Sequence, residues 1–495
     1  MLIKPQYESY RYTGEICRLQ SQSIVECRLP GSEIGSILTI QAKVVPTESA
    51  CADGEVRYNG KLLLCVVYED VDNKICRAER GAEFFHKAEG GAVSPACFAK
   101  TALTVENVSY RREGSGLYIS VVVGAEARVY GGRQIEYLVG GENVVAKQGA
   151  ISLCKSICVS GETEAEDEFE TDFVGDILLH GETAVATSVR VNAGQLEVEG
   201  ELNLNVCVLN GDNTLSSYER LIAFSMQIPC EEAFGKVSAS ARVNVKNAHL
   251  TAGVDEEKGR SKIVFSYCLL ADCFLSAIDE LFVAEDAFSP RAKLQLRSEN
   301  GEGRYLTSQT KCTERVSGVA AMNFDFGGEY ALAAAMNPRA EITCRKGERG
   351  MEAEGAVTAD VLLRSEDGGH RSCGLSLPFV FPLDTAEEIV EADCIVCGLN
   401  VRRKKDGETE AEATLKICLR TYKNYEWTYL CEATEGEAYA ESDAAISIFV
   451  PRAGEDLWEV AKRLSRDPED LKKSNPELEF PVREGERIFV YRQIK

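Results

Sequence analysis

The stretch Gln195-Leu196-Glu197-Val198-Glu199-Gly200-Glu201-Leu202-Asn203-Leu204-Asn205-Val206 decides the fold. Its even-numbered positions are apolar apart from one glycine, and its odd-numbered positions are all polar. Side chains of an extended chain alternate between two faces, so this is a β-strand with one buried face. The glycine sits on the apolar face, where a missing side chain permits a bulge, a bend or close approach of a second backbone. The same pattern recurs at Val56, Tyr58, Gly60, Leu62, Leu64, Val66 and Tyr68, and again at Met351, Ala353, Gly355, Val357, Ala359, Val361 and Leu363. The glycines are 140 and 155 residues apart, too far for a solenoid repeat and suited to tandem domains.

A second alternating run follows each glycine by about sixty residues: Leu117 to Ala127, Ile263 to Ala271, and Ala411 to Leu419. Polar turns at 111–116, 255–260 and 402–407 precede these runs and predict hairpins. The fold class expected is mainly β, with three tandem antiparallel modules that are sandwich or barrel-like. Their bounds are 1–145, 165–290 and 320–431, the third diverged. Whether the N-terminal extension, residues 1–53, completes the first sheet is left open by the pattern.

After an acidic linker at 432–445 the texture changes. Residues 446–495 read as strand, helix, helix, strand. Asp456 is a fitting N-cap, followed by Leu457, Val460, Ala461 and Leu464 at helical spacing on a core face. Asp467 caps a second helix with Pro468 at its first position. Trp458 is expected in the core, leaving Leu457 as the floor of any groove.

The 495 residues carry 55 basic and 79 acidic side chains, a net charge of −24. That balance argues against nucleic acid and anionic membrane surfaces as partners. The tail is neutral, with ten residues of each sign, so the deficit lies in the β region. Three runs, 161–176, 384–393 and 432–443, supply −8, −5 and −5. They are expected to be solvated spacers that keep the modules apart. The N-terminus has no basic and apolar leader pattern, and no apolar run approaches the roughly 20 residues of a membrane helix. A cytoplasmic chain is therefore expected.

No chemistry-bearing constellation stands out. Cys394 and Cys397 form a C-x-x-C, but residues three apart on a strand face opposite ways. Cys154 and Cys158 share a parity and lack partners. The four histidines, His86, His180, His249 and His370, fall at unrelated positions, and Glu197, Glu199 and Glu201 are expected to point to solvent. No catalytic residue, cofactor or metal site is predicted.

The tail resembles the LysM domain through Phe449-Val450, Gly454-Glu455-Asp456-Leu457-Trp458, Val460-Ala461, Leu471-Lys472, Asn475-Pro476 and Gly485-x-x-Ile488-x-Val490. The resemblance implies a ligand groove between two loops, here Gly454, Glu455, Asp456, Leu457 and Trp458 on one side and Asn475, Pro476, Glu477 and Leu478 on the other. The β modules resemble the SPOCS domain of clostridial spore-coat assembly proteins. They do so through Leu29-Pro30-Gly31, Gly54-Glu55-Val56, Gly60-x-Leu62-x-Leu64-x-Val66 and Gly194 to Leu202, with Glu352-Ala353-Glu354-Gly355 in the third copy. That family implies a non-enzymatic scaffold in the mother-cell cytoplasm, at the forespore surface or spore coat. Its partners would be the coat morphogenetic ATPase or other coat proteins. The alternative is an N-acetylglucosamine-binding protein of cortex or wall peptidoglycan.

Overall fold

The computed structural model describes all residues except 1, 31–33, 115, 173–174, 212–213, 235–236, 256–259, 323–329, 349, 367, 388, 405–407, 441–445 and 492–495, together with the side chains of 254 and 255. The expected turns at 255–260 and 402–407 thus fall largely outside the described residues.

The first third of the chain forms β1 (Lys4–Pro30), β2 (Ile34–Ala52), β3 (Glu55–Asp70), β4 (Ile75–Glu89), β5 (Phe98–Glu113) and β6 (Gly116–Glu142). Next come β7 (Val145–Thr171), β8 (Gly175–Asn192), β9 (Gln195–Asn210), β10 (Leu215–Pro229), β11 (Val237–Asp255) and β12 (Arg260–Phe288). The last third holds β13 (Ala292–Val319), β14 (Ala321–Met322), β15 (Tyr330–Gly347), β16 (Gly350–Ser365), β17 (His370–Pro382), β18 (Ile389–Arg403) and β19 (Thr409–Ala438). Each third pairs the same way. One antiparallel sheet is a meander, β2-β3-β4, β8-β9-β10 or β15-β16-β17, the last with β14 on its edge. The other is β1-β6-β5, β7-β12-β11 or β13-β19-β18. The two sheets of each unit share one apolar core, as Leu62, Leu64 and Val66 do with Leu117, Ile119 and Val121. Each such fully buried side chain is worth about 1.5–3 kcal/mol. Among the described residues no sheet closes into a barrel, so the units are two-layered sandwiches.

The repeated glycine has a repeated cause. Gly60, Gly200 and Gly355 lie directly opposite Phe84, Phe224 and Phe379 in the ladders. A Cβ on these glycines would come within 2.5, 2.2 and 2.8 Å of the ring's Cζ. An aromatic ring lies where the side chain would be, so the close approach is by a ring. At Gly200 and Gly355 a carbonyl oxygen, of Val185 and Glu341, crowds the same space.

The long strands outrun the sandwiches, and their far halves bring the three units together. Ile135, Leu281 and Trp427, at intervals of 146 residues, share a cluster with Tyr137, Val283 and Tyr429, spaced alike. Leu138, Ala284 and Leu430 meet in another. Val67, Cys207 and Leu362, each seven residues beyond its repeat glycine, join Leu38, Leu178, Leu179 and Met336 in a third. Matched positions converge, so the units close around a pseudo-threefold axis.

This closure corrects the expectation of spacers. Residues 161–171 are half of β7, and Glu162, Asp167 and Glu168 pair with Lys246, Arg220 and Lys262. Glu391 and Asp393 lie in β18, where Glu391 meets Arg18 at 2.7 Å and Arg128 at 2.9 Å, while Asp393 meets Arg420 at 2.7 Å. Residues 432–438 belong to β19, not to a linker. Likewise 146–164 and 292–319, outside the expected modules, are strands β7 and β13, the counterparts of β1. The extension 1–53 supplies β1 and β2, so it does complete the first unit. Glu201 bonds Lys416 of the third unit at 2.7 Å, and Arg190 takes Glu197 and Glu199, so this face is not simply solvated. The glutamates of 162–170 stay exposed on their strand, while cations from distant strands hold Glu391 and Asp393 half-buried.

The tail forms β20 (Ile446–Phe449), α1 (Leu457–Leu464), α2 (Pro468–Ser474) and β21 (Ile488–Tyr491), with β20 antiparallel to β21. Among the described residues no helix is long and apolar enough to cross a membrane.

Candidate functional site

Both helices of the tail start as their sequence dictates. The Asp456 carboxylate accepts from Glu459 N at 2.7 Å while Glu459 accepts from Asp456 N at 2.9 Å, a reciprocal cap. Asp467 accepts from Glu469 N at 2.8 Å ahead of Pro468. Val460, Ala461, Leu471 and Ile488 form the buried centre, with Leu457, Leu464 and Leu478 half-buried against it. Leu457 and Leu478, one from each predicted loop, thus pack against the same core.

The remaining predicted groove residues divide by role. Gly454 is exposed with a φ of +90°, a left-handed conformation that glycine accepts at no steric cost. Glu455 is tied to Arg463 and accepts from Arg452 N at 2.9 Å. Pro476 and Glu477 are exposed. Asn475 is buried and fully used. Its Nδ2 donates to Leu471 O and Phe489 O at 3.0 and 2.8 Å, and its Oδ1 accepts from Phe489 N at 2.8 Å. It clamps α2 to β21, so it is withdrawn from the groove set.

Trp458 takes a part that its local sequence does not disclose. Its Nε1 donates to Asp286 Oδ2 at 2.9 Å, and its ring meets Phe288 edge-on at 5.1 Å. Lys462 reaches the same carboxylate at 2.6 Å. Burial alone would raise the Asp286 carboxyl, but Lys462 and Trp458 outweigh it and hold it below the usual range. Phe288 and Val145 pack into the tail's core cluster. Trp458 is thus the seam between the tail and the end of β12, and not a member of a private core. Asp286 and Phe288 were missed because they lie 172 and 170 residues away in a strand of ordinary alternation.

The other groups singled out in the sequence are held in structure. Burial pushes the Cys154, Cys158, Cys394 and Cys397 thiols up to about 12, which keeps them protonated and poorly nucleophilic. Cys394 and Cys397 pack in different clusters. His370 Nδ1 lies 3.2 Å from Glu69, both buried, and His180 Nδ1 lies 3.3 Å from Glu182. His86 stands edge-on to Tyr58 at 5.9 Å. His249 lines a cavity of about 1090 Å³ between the three units. A second space of about 1030 Å³ shares Lys43, Leu103, Glu182 and Lys246 with it. Nothing in the alternation marks these walls, which arise from three separate units meeting.

Comparison with known proteins gives no match to a family model, a curated protein or a solved structure.

Proposed function

We propose that the chain is a non-enzymatic scaffold of spore-coat assembly, with three SPOCS-like β units and a C-terminal LysM-like unit that contacts a coat morphogenetic protein. The observation that carries this reading is the order of parts. Three sandwiches, each with a phenylalanine ring over a glycine at the same place, precede a βααβ unit whose helices open on Asp456 and Asp467. The scaffold reading is also favoured by the state of the cysteines, since buried, high-pKa thiols suit packing better than catalysis. Closure of the units changes the expected mechanism. Binding surfaces on the three sandwiches would be presented at fixed separations, so avidity would depend on the spacing of the partner's sites rather than on linker length.

The test uses the full chain and the coat morphogenetic ATPase in a pull-down. Glu477→Arg with Pro476→Asp changes two exposed groove positions and spares Asn475. Capture should fall at least tenfold while the urea midpoint is unchanged. Undiminished capture would move the interface off the groove. Sedimentation of the chain with purified peptidoglycan, without capture of the ATPase, would replace the scaffold reading with the glycan-binding one.

A further inference from the structure

The two spaces between the units differ in charge. The first is lined by six lysines and arginines against four glutamates, an excess of positive side chains inside a chain of net charge −24. The second has the opposite bias, three cations against five carboxylates, Asp393 and Glu126 among them. Three of the six cations of the first chamber are already matched. Lys43 is paired with Glu182, Arg77 with Glu79 at 3.0 Å, and Lys246 with Glu162 at 2.6 Å.

Lys61, Arg80 and Arg339 have no ion pair among the described residues; Lys61 and Arg80 are exposed, and only Arg339 is drawn inward. It is half-buried on β15, and among the described residues its side chain makes one hydrogen bond, from Nη2 to Ala42 O of the first unit at 3.1 Å. Guanidinium has five N–H donors, so four lack an acceptor among the described residues. No carboxylate among the described residues comes within 4.0 Å. Burial outweighs the more distant Asp360 and Glu341 and pushes its pKa down. A desolvated guanidinium facing a cavity gains most from an oxyanion, which matches its planar fork. Leu103 and Leu250 line the same chamber and offer apolar surface to the rest of a ligand, with Leu178, Leu179 and Met336 buried in the wall behind. The volume, about 1090 Å³, slightly exceeds the usual small-molecule site of about 300–1,000 Å³, so a ligand would fill part of it.

We propose that the chamber between the three units binds an amphipathic organic anion, with its carboxylate or phosphate head on Arg339 and its apolar body against the leucines. The acidic second chamber fixes the orientation, because it repels the head and leaves the first chamber as its seat. This site is independent of the C-terminal unit.

The probe is 8-anilinonaphthalene-1-sulfonate, an apolar anion whose emission rises on leaving water, titrated into the full chain. One saturable site is expected, displaced by decanoate or decyl phosphate and not by decanol. The stronger competitor identifies a carboxylate or a phosphate head. Arg339→Gln should weaken the site at least tenfold, and Arg339→Lys by less. Ala340→Phe, which fills the space where the two chambers meet and leaves the charge in place, should also abolish binding. Urea midpoints within error of the wild type for at least one of the weakened variants separate loss of the site from loss of fold. Absence of saturable binding, displacement by decanol as good as by decanoate, or affinity of a folded Arg339→Gln within twofold of the wild type would overturn the proposal.

Discussion

Replacing Glu391 by glutamine asks whether an ion network, and not the apolar layers alone, holds the three units together. Glu391 from the third unit accepts from Arg18 and Arg128 of the first, at 2.7 and 2.9 Å. Arg304 and Arg420 stand at 3.6 and 4.0 Å. The Arg128 and Arg420 side chains are only 6% and 3% exposed. Glutamine keeps the shape and removes the charge, leaving Arg18 with Glu15 at 2.6 Å and Arg128 with Glu126 at 3.1 Å but without the anion that they share across the unit boundary. Breaking a buried pair in this way costs about 3–5 kcal/mol, or roughly two to three and a half powers of ten in the equilibrium constant. Arg420 keeps Asp393 at 2.7 Å, so the lower end, about 3 kcal/mol, is expected. The assay is urea unfolding followed by Trp427 emission in a Trp458→Phe background. Trp427 is 4% exposed in the cluster where the units meet, so it reports their separation.

The pH dependence gives the reasoning a second edge. Burial alone would raise the Glu391 carboxyl, but Arg128 and Arg18 overcome it and hold it well below the usual carboxylate range. A depressed carboxylate contributes stability above its unfolded pKa, about 4.3, and loses it as pH falls through the folded value. The gap between wild type and Glu391→Gln should therefore be full at pH 7 and narrow below about pH 4. A loss under about 1 kcal/mol at pH 7, or a gap that ignores pH, would refute the argument.

Two other predictions follow from single contacts. Gly200→Ala drives a methyl group into the Phe224 ring and Val185 O, and should cost about 1–3 kcal/mol by overpacking, measured as a lower urea midpoint. Adding Phe224→Ala should recover part of that loss, and no recovery would mean that the ring is not what excludes the side chain. Asp286→Ala removes the acceptor of Trp458 Nε1 and Lys462 Nζ and should weaken docking of the tail by about 1.5–3 kcal/mol, the range for hydrogen bonds to a charged group. The readout is a red shift of Trp458 emission with faster proteolysis between the tail and β19, and unchanged emission would show that the seam lies elsewhere.

Local pattern carried a large part of the fold. Val56 to Tyr68, Leu196 to Val206 and Met351 to Leu363 lie on strands with the expected parity inward, because alternation is a property of the extended chain itself. Asp456 and Asp467 cap the predicted helices because their acceptors are within three residues of the donors. The groove set was legible only in part. Leu457 and Leu478 pack against one core, but Asn475, polar and beside a proline, reads as a loop residue until Phe489 is seen across from it.

What the sequence by itself determined was the content of each strand, the glycine at the centre of each repeat and the two helix starts, all set by neighbours a few residues away. What only the tertiary structure decided was the closure of the units, the partner of Trp458 and the isolation of Arg339. Glu391 looks like one acid in a solvated run until Arg18 and Arg128 arrive from strands more than 260 residues earlier. Charges and rings separated by such distances leave no periodicity behind, so their pairing becomes visible only when the chain has folded back on itself.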